Sequence, residues 1–131
     1  MRQGRIERIC LLKFRNIGDV LMITPALRAL REKFPHAYIA AAVSQGTEEM
    51  LVTNPDLNEL HVFNRRSPSL LGRLRNEWRM IRFIIKGRFN VVVDYTSGDR
   101  AAFYCLLSRA AQRLGYRTLS AARSRWKRSI Y

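Results

Sequence analysis

Asp19 stands at a point in this chain where chemistry is readily built. It follows Gly18 in the run Lys13, Phe14, Arg15, Asn16, Ile17, Gly18, Asp19, where a short apolar segment gives way to a helical pattern. A carboxylate on such a turn is suited to accept a proton from a hydroxyl held against it. Lys13 and Arg15 flank it, either to hold an anionic substrate or simply to stand in solvent as rim charge. Gly18 allows a ligand close to the backbone, or supplies a tight turn with positive φ. A structural role competes for Asp19. An aspartate at a helix start caps it, and the helix N-terminus stabilises the carboxylate and so weakens it as a base. Asp99 and Arg100 occupy a second turn of this kind, as part of the same cleft or as a cap and a helix pair. Arg65 and Arg66 form a basic pair in a loop, where charges are usually solvated.

The elements that must position these groups alternate along the chain. Residues 9–12 are continuously apolar, as in a strand buried on both faces. Val20, Ile23, Leu27, Leu30 and Phe34 then recur at helical spacing until Pro35. Residues 38–43 form a second strand. Thr47, followed by Glu48 and Glu49, predicts an N-cap and a short helix closed by Asn54 and Pro55. A brief strand over 60–63 leads to the longest helix. That helix is expected to be capped by Ser67, with Pro68 at its first position and a buried stripe of Leu71, Leu74, Trp78, Ile81 and Ile85, and to end at Gly87. A strand over 89–94, a loop over 95–98, a helix from Asp99 and a last short strand over 113–116 follow. Repeated strand and helix units predict an α/β fold, a parallel sheet with helices on both faces, whose ligands bind at the carboxyl ends of the strands.

At 131 residues and 47% hydrophobic content, one domain with a proper core is expected. The 24 Lys and Arg against 10 Asp and Glu give a net charge of +14, which predicts an anionic partner: nucleic acid, a phosphorylated glycan or an acidic membrane face. Residues 117–131 are polar and basic, and no carboxylate follows Asp99. This tail has no closing strand or cap and predicts a chain that continues. Cys10 and Cys105 lack metal-type spacing and are expected as small buried hydrophobes, which suits a reducing cytoplasm. No segment approaches the roughly 18 apolar residues of a membrane span.

Several chemistries lose their usual support. There is no Gly-x-x-x-x-Gly-Lys-Ser/Thr loop and no Gly-x-Gly-x-x-Gly after a strand, so neither nucleotide hydrolysis nor dinucleotide redox chemistry is indicated. No Asp-x-Asp pair is present to clamp a sugar nucleotide through a divalent ion, so no metal site is expected. His36 is expected as a solvated turn residue and His61 as an outward-facing strand residue.

The run from Lys13 to Pro25, including Arg15, Gly18, Asp19 and Thr24, resembles the opening motif of the ADP-heptose:lipopolysaccharide heptosyltransferases, glycosyltransferase family 9. Further matches follow in order. Ala26, Leu27, Arg28 and Leu30 with Phe34 and Pro35, Gly46 to Glu49, Asn54 and Pro55, Val93 and Asp94 with Gly98, Asp99 and Arg100, and Gly115 and Tyr116 all resemble the family's amino-terminal domain. The tract from Arg125 to Tyr131 resembles the approach to the interdomain linker, especially in members labelled heptosyltransferase III.

The resemblance implies a GT-B enzyme with two Rossmann-like domains. Residues 1–116 would be the acceptor-side domain, and 117–131 would lead toward a linker and second domain. It further implies an inverting, metal-independent transfer of heptose from ADP-heptose to the lipid A-anchored inner core of lipopolysaccharide. Asp19 would be the base; Lys13, Arg15, Gly18, Arg65, Arg66, Asp99 and Arg100 would surround the acceptor. No cofactor is implied, and the donor is expected mainly in the second domain, so that this chain alone is inactive. The enzyme would be cytoplasmic, with peripheral contact to an anionic membrane face through the basic side of the long helix. The alternative is a basic α/β module that binds nucleic acid or another polyanion without catalysis. Against nucleic acid stand the expected burial of Trp78 and the lack of a recognisable nucleic-acid fold.

Overall fold

The computed structural model describes residues 5–14, 17–64, 66–96 and 99–115. The basic stretch 117–131, expected to lead toward a linker, lies outside the described residues. Five strands, β1 (Arg8–Lys13), β2 (Tyr38–Ser44), β3 (Glu59–Phe63), β4 (Val91–Asp94) and β5 (Gln112–Gly115), form one sheet in the order β3-β2-β1-β4-β5. Every neighbouring pair is parallel. The helices are α1 (Ile17–Met22), α2 (Thr24–Lys33), α3 (Leu70–Gly87) and α4 (Asp99–Leu107). The chain builds outward from β1 in one direction through β2 and β3, then returns to lay β4 and β5 on its other side. That reversal makes the carboxyl ends of β1 and β4 the switch point of the sheet.

Alternation along the strands divides the core between two faces. Ile9 and Leu11 point toward Val20, Ile23 and Leu27 of the first two helices. Cys10 and Leu12 point toward Met80 and Ile84 of α3 and Ala101, Ala102 and Tyr104 of α4. All four β1 residues are fully buried, which is why that strand reads as an unbroken apolar run. Both cysteines are buried in the α3 and α4 layer, as expected, and burial pushes the Cys10 thiol well up, keeping it protonated.

Three local expectations are corrected. The stripe from Val20 to Phe34 faces the sheet as predicted, but the helix breaks at Ile23 because Pro25 brings no N–H. Ile23 N instead donates to Val20 O at 3.2 Å, and Leu27 N restarts the ladder on Ile23 O at 2.9 Å. Thr47 does not cap a helix. Its hydroxyl donates to Ser44 O at 2.7 Å, and only a single 3-10 turn, Glu48–Met50, follows. The cap of α3 is Ser69, not Ser67: Ser69 is extended and its Oγ accepts from Gly72 N at 3.0 Å, which leaves Pro68 outside the helix. The helix runs through Gly87 as expected and is closed by Arg88 in the left-handed conformation, φ 45°; a Cβ at Gly87 would meet the Phe89 ring at 2.2 Å.

The largest correction concerns which side of α3 faces inward. Met80 and Ile84 are buried, with Ile81 and Phe83 partly so, whereas Leu71 is 72% exposed, Leu74 59%, Trp78 65% and Ile85 53%. The helix carries two apolar sectors. The one that docks lies nearly opposite the row Arg75, Arg79, Arg82 and Lys86, so all four cations stay exposed and none is desolvated.

Candidate active site

In a parallel sheet every strand exits on the same edge, and that edge carries the groups singled out in the sequence. The loop after β1 is stitched to both of its neighbours. On the β4 side, Lys13 Nζ donates to Tyr95 O at 2.8 Å, Phe14 N to Thr96 Oγ1 at 3.0 Å and Tyr95 N to Leu12 O at 3.0 Å. On the β2 side, Ser44 Oγ donates to Phe14 O at 2.6 Å. Phe14 is buried and meets the rings of Phe63 and Tyr104 edge-on, each at 5.9 Å between centroids. Up to Phe14 the exit of β1 is thus held in fixed geometry, as a preorganised site requires.

Asp19 lies in α1, five residues beyond Phe14, with Gly18 exposed before it. Gly18 is helical rather than positive in φ, and a Cβ there would meet no described atom within 4 Å. Neither strain nor crowding by described atoms demands glycine at this position. Arg15 and Arg65 lie outside the described residues. Lys13 is half-buried and committed to Tyr95 O, so its charge sits at the strand end rather than in solvent. Asp99 is exposed on the first turn of α4, beside the adjacent strand exit. Arg66 is exposed after β3, its N–H donating to Asn64 Oδ1 at 2.9 Å.

Arg100 reaches across to α3 and pairs with Glu77, which also accepts from the Tyr104 hydroxyl. Its guanidinium lies 5.4 Å above the Phe63 ring. Burial, reinforced by Glu77 and opposed by Arg100, pushes the Tyr104 phenol far up, so it remains a donor at neutral pH. Arg100 therefore carries its charge on the rim as half of an ion pair between helices.

Three groups shape this edge in ways the sequence did not indicate, although Asp94 is among the residues of the family resemblance. Asp94 is 1% exposed and its Oδ1 accepts from Thr96 N at 2.7 Å, which folds the β4 exit toward β1. A carboxylate ending a run of valines was the available signal. Thr96 and Ser44, ordinary polar loop residues in the sequence, supply the stitches. A second cleft of about 310 Å³ opens at the β2 and β3 exits, lined by Glu48, His61, Asn64, Asn76 and Arg79 among others. His61 is not simply outward-facing: it stacks on Phe83 of α3 at 4.6 Å, and burial lowers its pKa, with Glu59 opposing and Arg79 assisting. Among the described residues no three His, Cys, Asp or Glu side chains gather as a ligand set for a metal.

No protein-family model matches the chain. Lipopolysaccharide heptosyltransferase 3 of Escherichia coli strain K12 is 26% identical over 117 residues, taking in 86% of this chain and 33% of that enzyme. A second Escherichia coli lipopolysaccharide heptosyltransferase 3 is 22% identical over 113 residues, with the same coverage. The resemblance is to heptosyltransferases. Solved structures agree in fold. A glycosyl transferase family 9 protein from Veillonella parvula superposes with a TM-score of 0.71 at 22% identity, over 85% of this chain and 33% of that one. An Escherichia coli heptosyltransferase solved with ADP gives 0.68 at 19% identity, over 95% and 39%. The Rossmann-like α/β fold expected from the sequence is the fold found. The chain spans about a third of the length of the curated relatives it matches.

Proposed function

We propose that this chain is the acceptor-side, amino-terminal part of an inverting, metal-independent glycosyltransferase that moves heptose from ADP-heptose to the inner core of lipopolysaccharide. Likeness to heptosyltransferase 3 over 86% of the chain carries this reading, joined to a candidate base at the exit of the central strand. Asp19 takes the proton from an acceptor hydroxyl while that oxygen attacks the anomeric carbon, and the ADP oxygen leaves from the opposite face with the bonding electrons. The open space beside Gly18 admits the acceptor. Lys13, Arg15, Arg65, Arg66 and Arg100, with Asp99, supply the charged surround for a phosphorylated and carboxylated core, consistent with a net charge of +14. ADP-heptose binds mainly to a second domain.

Binding and turnover test this reading separately. The purified chain is expected to bind heptose-deficient lipopolysaccharide saturably in a salt titration, and to bind generic DNA only weakly; saturable binding to DNA alone overturns it. Incubated with ADP-heptose and acceptor, the chain by itself is expected to give no transfer. Measurable transfer overturns the assignment of the donor to another domain.

A further inference from the structure

The left-handed residue that closes α3 has a counterpart past the end of α4. Among the described residues other than glycine, two have positive φ, Arg88 at 45° and Arg109 at 53°. Each follows the last turn of its helix, where glycine or asparagine is usual because a Cβ crowds the backbone. Both line one cleft of about 670 Å³ on the edge of the sheet where the strands begin, opposite the strand exits. Ile85 of α3 and Leu106 and Leu107 of α4 give the cleft an apolar wall, with Ile85 53% and Leu106 49% exposed. Asn90 lines it as well. Its Oδ1 accepts from Glu7 N at 2.9 Å and Arg8 N at 2.8 Å, so its Nδ2 is the donor left to the cleft. Among the described residues no carboxylate lines the cleft, and neither guanidinium has a hydrogen-bond or ion-pair partner.

We propose that this cleft binds an organic phosphate monoester, with Arg88 and Arg109 on the phosphate and the apolar wall against the esterified group. A residue held in a disfavoured conformation persists where its side chain is used, and glycine at either position would relieve the crowding at the loss of a guanidinium. The ligand class follows from the number of donors. One guanidinium fork saturates a monocarboxylate, whereas a phosphate monoester brings three terminal oxygens and about two negative charges at neutral pH, enough for two forks and the Asn90 amide. Inorganic phosphate leaves Ile85 and Leu106 in water; an esterified apolar group covers them. A flat nucleoside base and an aliphatic chain both meet that need. The cleft lies across the sheet from the candidate active site, so its occupancy does not depend on the transferase reading.

Isothermal titration of the full chain with adenosine monophosphate, hexyl phosphate and inorganic phosphate provides the test. One equivalent of at least one organic phosphate is expected to bind about tenfold or more tightly than inorganic phosphate, and the tighter of the two identifies the esterified group as a base or an aliphatic chain. Arg88→Gly and Arg109→Gly are each expected to weaken that binding about tenfold or more while raising the melting temperature by about 2 °C, since each removes a fork and relieves a left-handed residue. Arg75→Gln with Arg82→Gln, on the exposed row of α3 outside the cleft, is expected to leave the binding unchanged. Four results overturn the proposal: no organic phosphate bound more tightly than inorganic phosphate; binding that survives both glycine substitutions; an equal loss from the Arg75 and Arg82 pair, which makes net charge the cause; or glycine variants that melt lower, which makes the two arginines structural.

Discussion

The two helical layers of this molecule obey the same periodicity and end differently. On one face of the sheet, Val20, Ile23 and Leu27 recur at three- and four-residue steps and are buried to 1% exposure or less. On the other, Leu71, Leu74, Trp78 and Ile85 recur just as regularly and face outward. The difference lies in what the rest of each helix carries. In α2 the other positions are largely Arg28, Arg31, Glu32 and Lys33, leaving one apolar side and one way to dock. The longer α3 has two apolar sectors, and the cations decide between them. A periodic stripe identifies an amphipathic helix; it selects the buried face only when it has no rival.

Truncations inside the two docked faces give the strongest tests of this contrast. Leu27→Ala and Ile84→Ala remove fully buried side chains and are each expected to cost about 3 kcal/mol in urea denaturation. If Ile84→Ala costs nothing, α3 is docked the other way round. Removing the cap that fixes the entry of α3, Ser69→Ala, is expected to cost about 1 kcal/mol, with less for Ser67→Ala. A larger loss at Ser67 would move the helix start back to the position first expected.

Acidification tests the hold of α3 on the sheet through His61 and Phe83. Burial lowers the imidazole pKa from 6.5 in the folded chain, so the unfolded chain binds the proton more readily. The contribution is therefore fully present above pH 6.5 and is lost as pH falls through the folded value. His61→Phe keeps a stacked ring and is expected to flatten that part of the stability profile; an unchanged slope would separate His61 from the packing. The smallest effect belongs to the outward stripe. Leu74→Ala and Trp78→Ala are expected to stay within about 0.5 kcal/mol of the parent, and losses near those of Leu27→Ala would show that the stripe is core after all.

The strands were the most legible part of the sequence. Continuous β-branched and aliphatic runs bounded by turn residues leave little choice, and all five strands were located within two residues or fewer at each end. Helix boundaries were less so, because Pro25 and the serines near residue 68 act through individual hydrogen bonds that a stripe does not encode. The candidate site was legible in outline. Gly18, Asp19, Asp99 and Arg100 announce strand-to-helix turns, and a parallel sheet brings such turns to one edge. The stitches were not legible: Lys13 to Tyr95, Phe14 to Thr96 and Arg100 to Glu77 each join residues more than 20 positions apart, and local pattern carries no information on them. They also alter the reading of charge, since Lys13 and Arg100 enter the site as anchored groups.

The position of β1 at the centre of the sheet bears on how the chain is made. Its partners come from both ends of the sequence: β2 is synthesised soon after it, while β4 awaits Val91–Asp94. A nascent chain that has completed α3 thus holds a three-stranded sheet whose most apolar strand has one bare edge, a template for pairing with another chain. Synthesis stalled at that point yields an aggregation-prone product, and the arrival of four residues, three of them valine, closes the edge.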